Sequence, residues 1–176
     1  RVLADSLGSE VMSKVNPTRK DYGERKHNLC THSLGVQGVT GIKSGEVLGA
    51  LVDKLKPSAV IVVDSLATAS ANRLGTSFQI STAGIVPGGG IRQGAMPMNK
   101  AVYGVPTVSI GVPLVLTMQG VLKDFAKDFL CDEFKFQSIV AEKKLGGLVV
   151  APKEVKIYLD NASNIIAKAI NLAYSN

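Results

Sequence analysis

The sequence predicts an α/β sandwich, and three observations carry that reading. A continuous β-branched run, Ala59-Val-Ile-Val-Val63, follows directly on a helical stripe, as expected of a strand buried on both faces of a parallel sheet. Short strand-like segments then alternate with helical patterns. A long amphipathic pattern closes the chain, with Val155, Leu159, Ile166 and Ile170 at helical spacing.

In chain order, Leu7, Val11, Met12 and Val15 fall on one helical face, and Asn16-Pro17 stops that helix. Thr18 to Asn28 is polar and charged and reads as a surface loop. Gly35, Gly38 and Gly41 punctuate a segment ending in Thr40-Gly41-Ile42. Val47, Leu48, Leu51 and Leu55 form a second helical stripe, with Ser44 as N-cap and Lys56-Pro57 as stop. The run to Val63 then leaves Asp64-Ser65 just past a strand's carboxyl end, where open α/β sheets place their ligands. Ser77 to Ile80 and Thr107 to Ile110 read as strands separated by a Gly-rich loop, Gly84 to Gly94. Val115 to Leu130 carries an amphipathic helical pattern, and Leu148-Val-Val150 is a last apolar segment before Pro152 at a helix start.

The chain has 176 residues, 45% of them hydrophobic, enough to bury one sizeable core, so a single domain over 1–176 is expected. No apolar run reaches the 20 or so residues a bilayer span needs, so no membrane partner is expected. Cys30 and Cys131 are the only cysteines, and no basic and apolar leader opens the chain. A cytoplasmic home follows from that pattern. The net charge of +6 is spread over scattered Lys and Arg residues, and there is no Trp, so direct nucleic-acid binding is not expected.

Among residues able to do chemistry, Asp5 and Asp64 stand out, although either could simply cap a helix, Asp64 the turn into Leu66 to Leu74. The loop from Gly84 to Gly94, with Gly84, Pro87, Gly88 and Gly90, could line a substrate or form a plain connection. It matches neither a P-loop nor the dinucleotide fingerprint. His27 and His32 flank Cys30 without the spacing of a zinc site, so no metal or other cofactor is expected. Ser6 and Ser65 lack a nucleophile elbow or an evident His-Asp partner.

Seven segments in order closely resemble the germination protease family of spore-forming bacteria. They are Ala4-Asp-Ser-Leu-Gly8, Gly38-Val-Thr-Gly-Ile42, Lys56-Pro-Ser-Ala-Val-Ile-Val-Val-Asp-Ser-Leu-Ala67, Thr76-Ser-Phe-Gln-Ile80, Gly84-Ile-Val-Pro-Gly88, Gly104-Val-Pro-Thr-Val-Ser-Ile-Gly-Val-Pro113 and Ala151-Pro-Lys-Glu-Val155. The resemblance implies a three-layer α/β sandwich with a mostly parallel central sheet, similar to hydrogenase maturation peptidases. It implies an atypical aspartic endopeptidase, made as a zymogen and assembled as a homotetramer, that degrades small acid-soluble spore proteins in the spore core during germination. The family's two aspartate motifs fall here on Asp5-Ser-Leu-Gly8 and Val63-Asp-Ser-Leu-Ala67, so the resemblance assigns catalysis to Asp5 and Asp64. A carboxylate pair of this kind activates a water with its ionised member and polarises the amide with its protonated one.

The family commonly has Asp-Thr-Gly-Ile-His-Pro-Gly-Ser-Gly in the Gly-rich loop, followed by Gly-Asn-Lys-Arg. Here the loop reads Thr82-Ala-Gly-Ile-Val-Pro-Gly-Gly-Gly90 and then Arg92-Gln-Gly-Ala95, without that acid, that His or the adjacent basic pair. The propeptide, first strand and Gly-Leu-Gly-Asn turn that precede the first aspartate in the family are not in this sequence, so the domain is expected to be N-terminally incomplete. The stretch from Leu130 to Leu148 is shorter than is usual. Two other readings fit these departures: a non-catalytic scaffold or binding member, and a metal-assisted maturation peptidase whose activity chelators would remove.

Overall fold

Two amphipathic helices make the main core. In the computed structural model, which describes residues 2–15, 29–33, 41–87, 96–128 and 145–174 (backbone only at 2–6, 126–128 and 146), α1 spans Val2–Lys14 and α5 spans Val155–Ala173. Leu7 and Val11 on α1 and Val15 just after its end meet Leu159, Ala162, Ile166, Ala167 and Ile170 on α5, and all are buried with Val112 and Leu114 of the sheet. Each Val, Leu or Ile side chain taken out of water contributes roughly 1.5–3 kcal/mol, so this one cluster carries a large share of the stability. The helices are also tied by polar contacts. Asn171 donates from Nδ2 to the carbonyl of Lys14, the last residue of α1, at 3.1 Å. Lys14 donates from Nζ to the buried Ser163 Oγ at 2.6 Å.

The other elements are α2 (Ser44–Leu55), β1 (Val60–Thr68), a 3₁₀ turn at Ala71–Arg73, β2 (Gln79–Ser81), α3 (Lys100–Tyr103), β3 (Thr107–Thr117), α4 (Met118–Asp128), a second 3₁₀ turn at Leu145–Gly147 and β4 (Val149–Val150). The expected α/β class holds, but the sheet is mixed. It runs in the order β1-β3-β2, with β4 also on β3. β1 pairs with β3 in parallel, while β2 and β4 pair with it antiparallel, so the mostly parallel sheet expected from the sequence is corrected. Between β1 and β2 the chain makes only a 3₁₀ turn and a short extended stretch, and a parallel return needs a crossover of a dozen or more residues, usually a helix.

The strand expected at Ser77 to Ile80 is Gln79–Ser81, and two other strands run further than the sequence reading, both through pairing. β1 does not end at Val63; it runs on to Thr68 because β3 offers it partners all the way, Asp64 opposite Gly111 and Thr68 opposite Leu116. β3 in turn extends to Thr117, taking the first residues of the expected helix at Val115. Pro113 sits inside this central strand, where it has no N–H to give the ladder. The register shifts between Leu66 and Ala67, just after Leu66 pairs with Pro113, which is the irregularity that lets a proline stand there.

The helix starting at Ser44 is found, but Lys43 holds the cap position and makes no side-chain cap bond, so Ser44 is the first helical residue. Lys56 ends it as expected, in a left-handed conformation with its N–H on the Val52 carbonyl. Val52, which is not in the expected stripe, is the buried apolar residue of this helix, while Val47, Leu48 and Leu51 are half-buried and Leu55 is exposed. The segments read as the polar loop Thr18 to Asn28 and the Gly35 and Gly38 turns lie outside the described residues. Among the described residues no helix is long and apolar enough to cross a membrane.

Candidate active site

Alternation along β1 decides which side of the sheet each candidate faces. Val63 and its register partner Ile110 pack against the α1 and α5 core. Successive strand residues point to opposite faces, so Val62, Asp64 and Leu66 point away from that core, together with Ser109 and Gly111 of β3. The absence of a side chain at Gly111 makes room there: a Cβ would stand 2.7 Å from Leu66 Cγ, so Leu66 lies across the glycine directly beside Asp64. Asp64 is half-buried, and its Oδ1 accepts the backbone N–H of Ser65 at 2.8 Å. The expected place for Asp64, past the end of the strand, is therefore corrected: it stands in the middle of β1. Its alternative role as a cap for a helix at Leu66 to Leu74 falls with that, since Leu66 to Thr68 are strand and only Ala71–Arg73 form a 3₁₀ turn.

Asp5 also sits elsewhere than expected, inside α1 rather than just before it, which removes the capping role proposed for it. It lies three residues before Gly8, about 4.5 Å along the helix axis. At Gly8 the helix comes down onto β1: a Cβ there would be 3.4 Å from the carbonyl oxygen of Val63, the residue before Asp64. The crossing of α1 over β1 is thus next to Asp64.

An open cleft of about 780 Å³ begins at that crossing. Gly8, Ser9 and Met12 of α1 wall it on one side, Leu48, Leu51 and Val52 of α2 on another. Every residue from Lys56 to Asp64 lines it, odd and even alike, so it follows the edge of β1 rather than one face. Leu29 to Ser33 cross it, held to α1 by a 2.8 Å hydrogen bond between the hydroxyls of Ser33 and Ser9. Cys30 and His32 are exposed members of this strip, His27 lies outside the described residues, and among the described residues no group of three His, Cys, Asp or Glu could hold a metal ion.

Of the Gly-rich loop, Gly84 and Pro87 are described, while Gly88 and Gly90 lie outside the described residues. Pro87 lines the cleft. Gly84 has φ +84° and fixes the base of the loop, where Ile85 and Met98 exchange two backbone hydrogen bonds of 3.1 and 2.7 Å. Met98, buried and also lining the cleft, was not singled out from the sequence, nor was Ser109, whose hydroxyl reaches this loop base. The signal for Ser109 was present in the alternation of Thr107, Ser109 and Gly111, which puts two small polar residues on one buried strand face.

Fold and site together define an α/β protein with an acid set mid-strand at the rim of a cleft, beside a helix that carries a second acid. The germination protease profile, peptidase family A25, matches residues 2–144. The chain belongs to the germination protease family. It is 31% identical over 202 residues to the germination protease of Clostridium perfringens strain 13, covering 98% of this chain and 62% of the relative. The corresponding enzyme of Caldanaerobacter subterraneus subsp. tengcongensis is 32% identical over 201 residues with the same coverage. That of Bacillus licheniformis is 27% identical over 231 residues, covering 98% of this chain and 63% of the relative. The chain therefore spans somewhat under two thirds of the length of these relatives. The matched spans exceed its own 176 residues, so the relatives carry residues within them that this chain lacks.

Proposed function

We propose that residues 1–176 form a single catalytic domain of an endopeptidase that degrades small acid-soluble spore proteins during germination, with Asp64 and Asp5 as the acid pair that activates water. The observation that carries this reading is the crossing of α1 over β1 beside Asp64, at the head of a cleft that follows the strand edge. A groove along a strand suits an extended peptide, the form in which a protease takes its substrate. The backbone N–H of Ser65 on Asp64 Oδ1 supports negative charge on that carboxylate. This favours Asp64 as the base that takes a proton from water and Asp5 as the acid that polarises the scissile carbonyl. Two carboxyl groups held close cannot both ionise easily, so the pair would titrate in two coupled steps and give a bell-shaped rate profile.

Membership of the family supports the rest of the proposal: substrates from the spore, a homotetramer, a zymogen stage, action in the spore core, and a three-layer arrangement like that of hydrogenase maturation peptidases. The net charge of +6 would steer acidic substrate segments toward the surface. Pro87, with Gly84, Gly88 and Gly90, is proposed to line the bound peptide.

The test is cleavage of a purified small acid-soluble spore protein by the wild type and by Asp64→Asn and Asp5→Asn. Each substitution should remove at least about 10²-fold of the rate, the scale of general acid–base catalysis, with far-UV circular dichroism and melting temperature unchanged. Variants that digest the substrate at the wild-type rate would end the acid-pair mechanism. A wild type that binds the substrate and never cuts it would make the chain a binding member of its family.

A further inference from the structure

Ser109 holds the proposed substrate wall in place, and the geometry points to it as a positioning residue for peptide binding. The inference rests on the reading of the cleft as a peptide site and adds to it the residue that sets one of its walls.

The argument starts from β3. Ser109 pairs in register with Val62 of β1 on one side and with Ser81 of β2 on the other, and it is 4% exposed. Its Oγ lies 3.2 Å from the Ser81 carbonyl oxygen and 3.1 Å from that of Gly84. One hydroxyl proton thus serves two carbonyls, one in the sheet and one at the root of the Gly-rich loop. Buried as Ser109 is, water is a poor substitute for that donor. From Gly84 the chain passes through Ile85, clamped to Met98 by two backbone hydrogen bonds, to Pro87 on the cleft wall.

Ser109 is two residues before Gly111, on the same strand face, and Gly111 is the register partner of Asp64. Two residues of strand span about 6.6 Å. The wall at Pro87 and the acid at Asp64 are thereby referred to the same short piece of β3, and the Ser109 hydroxyl is the side-chain link between them. Removing it frees the loop root to shift relative to Asp64, which alters how a peptide is held before it alters the chemistry on it.

The test uses Ser109→Ala and Ser109→Thr in the full chain, with a small acid-soluble spore protein as the probe. Loss of the hydroxyl should raise KM roughly 3- to 10-fold, the worth of one hydrogen bond, with kcat within about 2-fold of wild type. Threonine, which keeps the hydroxyl, should restore KM to near the wild-type value. A merely structural role would lower the melting temperature and the active fraction and leave KM alone. In parallel, binding of the same labelled probe is compared between Asp64→Asn and the double variant Asp64→Asn with Ser109→Ala. The same 3- to 10-fold weakening is expected, and it reads out even if the chain cuts nothing, so failure of the catalytic proposal and failure of this one are separable. Equal binding by the two, an absence of binding by both, or a fall in kcat at constant KM would overturn the role given to Ser109.

Discussion

The root of the Gly-rich loop can be probed by comparing two glycines that share a backbone conformation and differ in their surroundings. Gly84 has φ +84° and Gly104 has φ +72°. In either, an alanine would be forced into a region that costs an L-residue about 1–2 kcal/mol. At Gly104, the C-cap of α3, nothing lies within 4 Å of the added Cβ, so that conformational cost is the whole effect. At Gly84 the Cβ would overlap the Met98 carbonyl oxygen and stand 2.5 Å from Asn99 Cβ and 2.8 Å from Asn99 Cα. These neighbours are backbone or next to it and cannot swing aside. Overpacking of that kind adds about 1–3 kcal/mol. Gly84→Ala should therefore destabilise by about 2–5 kcal/mol and Gly104→Ala by about 1–2 kcal/mol. In a chain of this size each kcal/mol moves the melting temperature by roughly 2–4 °C, which puts the two variants about 2–12 °C apart. Urea unfolding followed by far-UV circular dichroism gives both values on one scale. Equal losses, within about 0.5 kcal/mol, would show that the loop root is not closed against Met98 as described, and the argument for Ser109 would lose its second clamp.

Two further outcomes follow from polar contacts of the helices. Asn171→Ala removes the donor to the Lys14 carbonyl from a residue only 3% exposed, and should cost about 1–3 kcal/mol in the same urea assay, with binding of the probe by the folded protein unchanged. Burial raises the pKa of the Tyr103 phenol above its ordinary value, and the phenol donates to the Gly45 carbonyl at 3.1 Å. Below about pH 10 the phenol is protonated in both states and its contribution is intact. As the pH rises above that, the unfolded chain ionises first and stability is lost. Tyr103→Phe should therefore flatten the alkaline fall in urea midpoint, and an unchanged slope would count against the half-buried phenol as its source.

Local signals in the sequence were enough for the four longer helices, though not for α3 at Lys100–Tyr103, and for the existence of most strands. Leu7, Val11 and Val15 were legible as a stripe because helical spacing is a local property, and so was the last helix, whose Leu159, Ile166 and Ile170 are all buried. What local signals could not supply was pairing. Ala59 to Val63 looked like a complete strand, yet β1 starts at Val60 and five more residues join it after Val63 because β3 lies alongside, and Asp64 consequently moves from a strand end to a strand middle. The mixed sheet is of the same kind: nothing in Gln79-Ile-Ser81 states which way it will run against Thr107 to Thr117. Within the site, Asp64, Gly84 and Pro87 were reached from motif and loop chemistry. Ser109 and Met98 were missed because their importance rests on carbonyls 25 and 13 residues away along the chain.

The lacing of α1 to α5 bears on how the protein is made. Lys14 finds Ser163 and Asn171 only across 149 and 157 residues of sequence, so α1 waits for α5 to be synthesised before its apolar stripe is covered. During that interval Leu7, Val11 and Val15 remain on the nascent chain as a sticky surface, the kind of segment that chaperones retain and that aggregates when synthesis outpaces folding. A ribosome stalled before Val155 would therefore hold a chain unable to complete its own interior, however much of the sheet had already been synthesised.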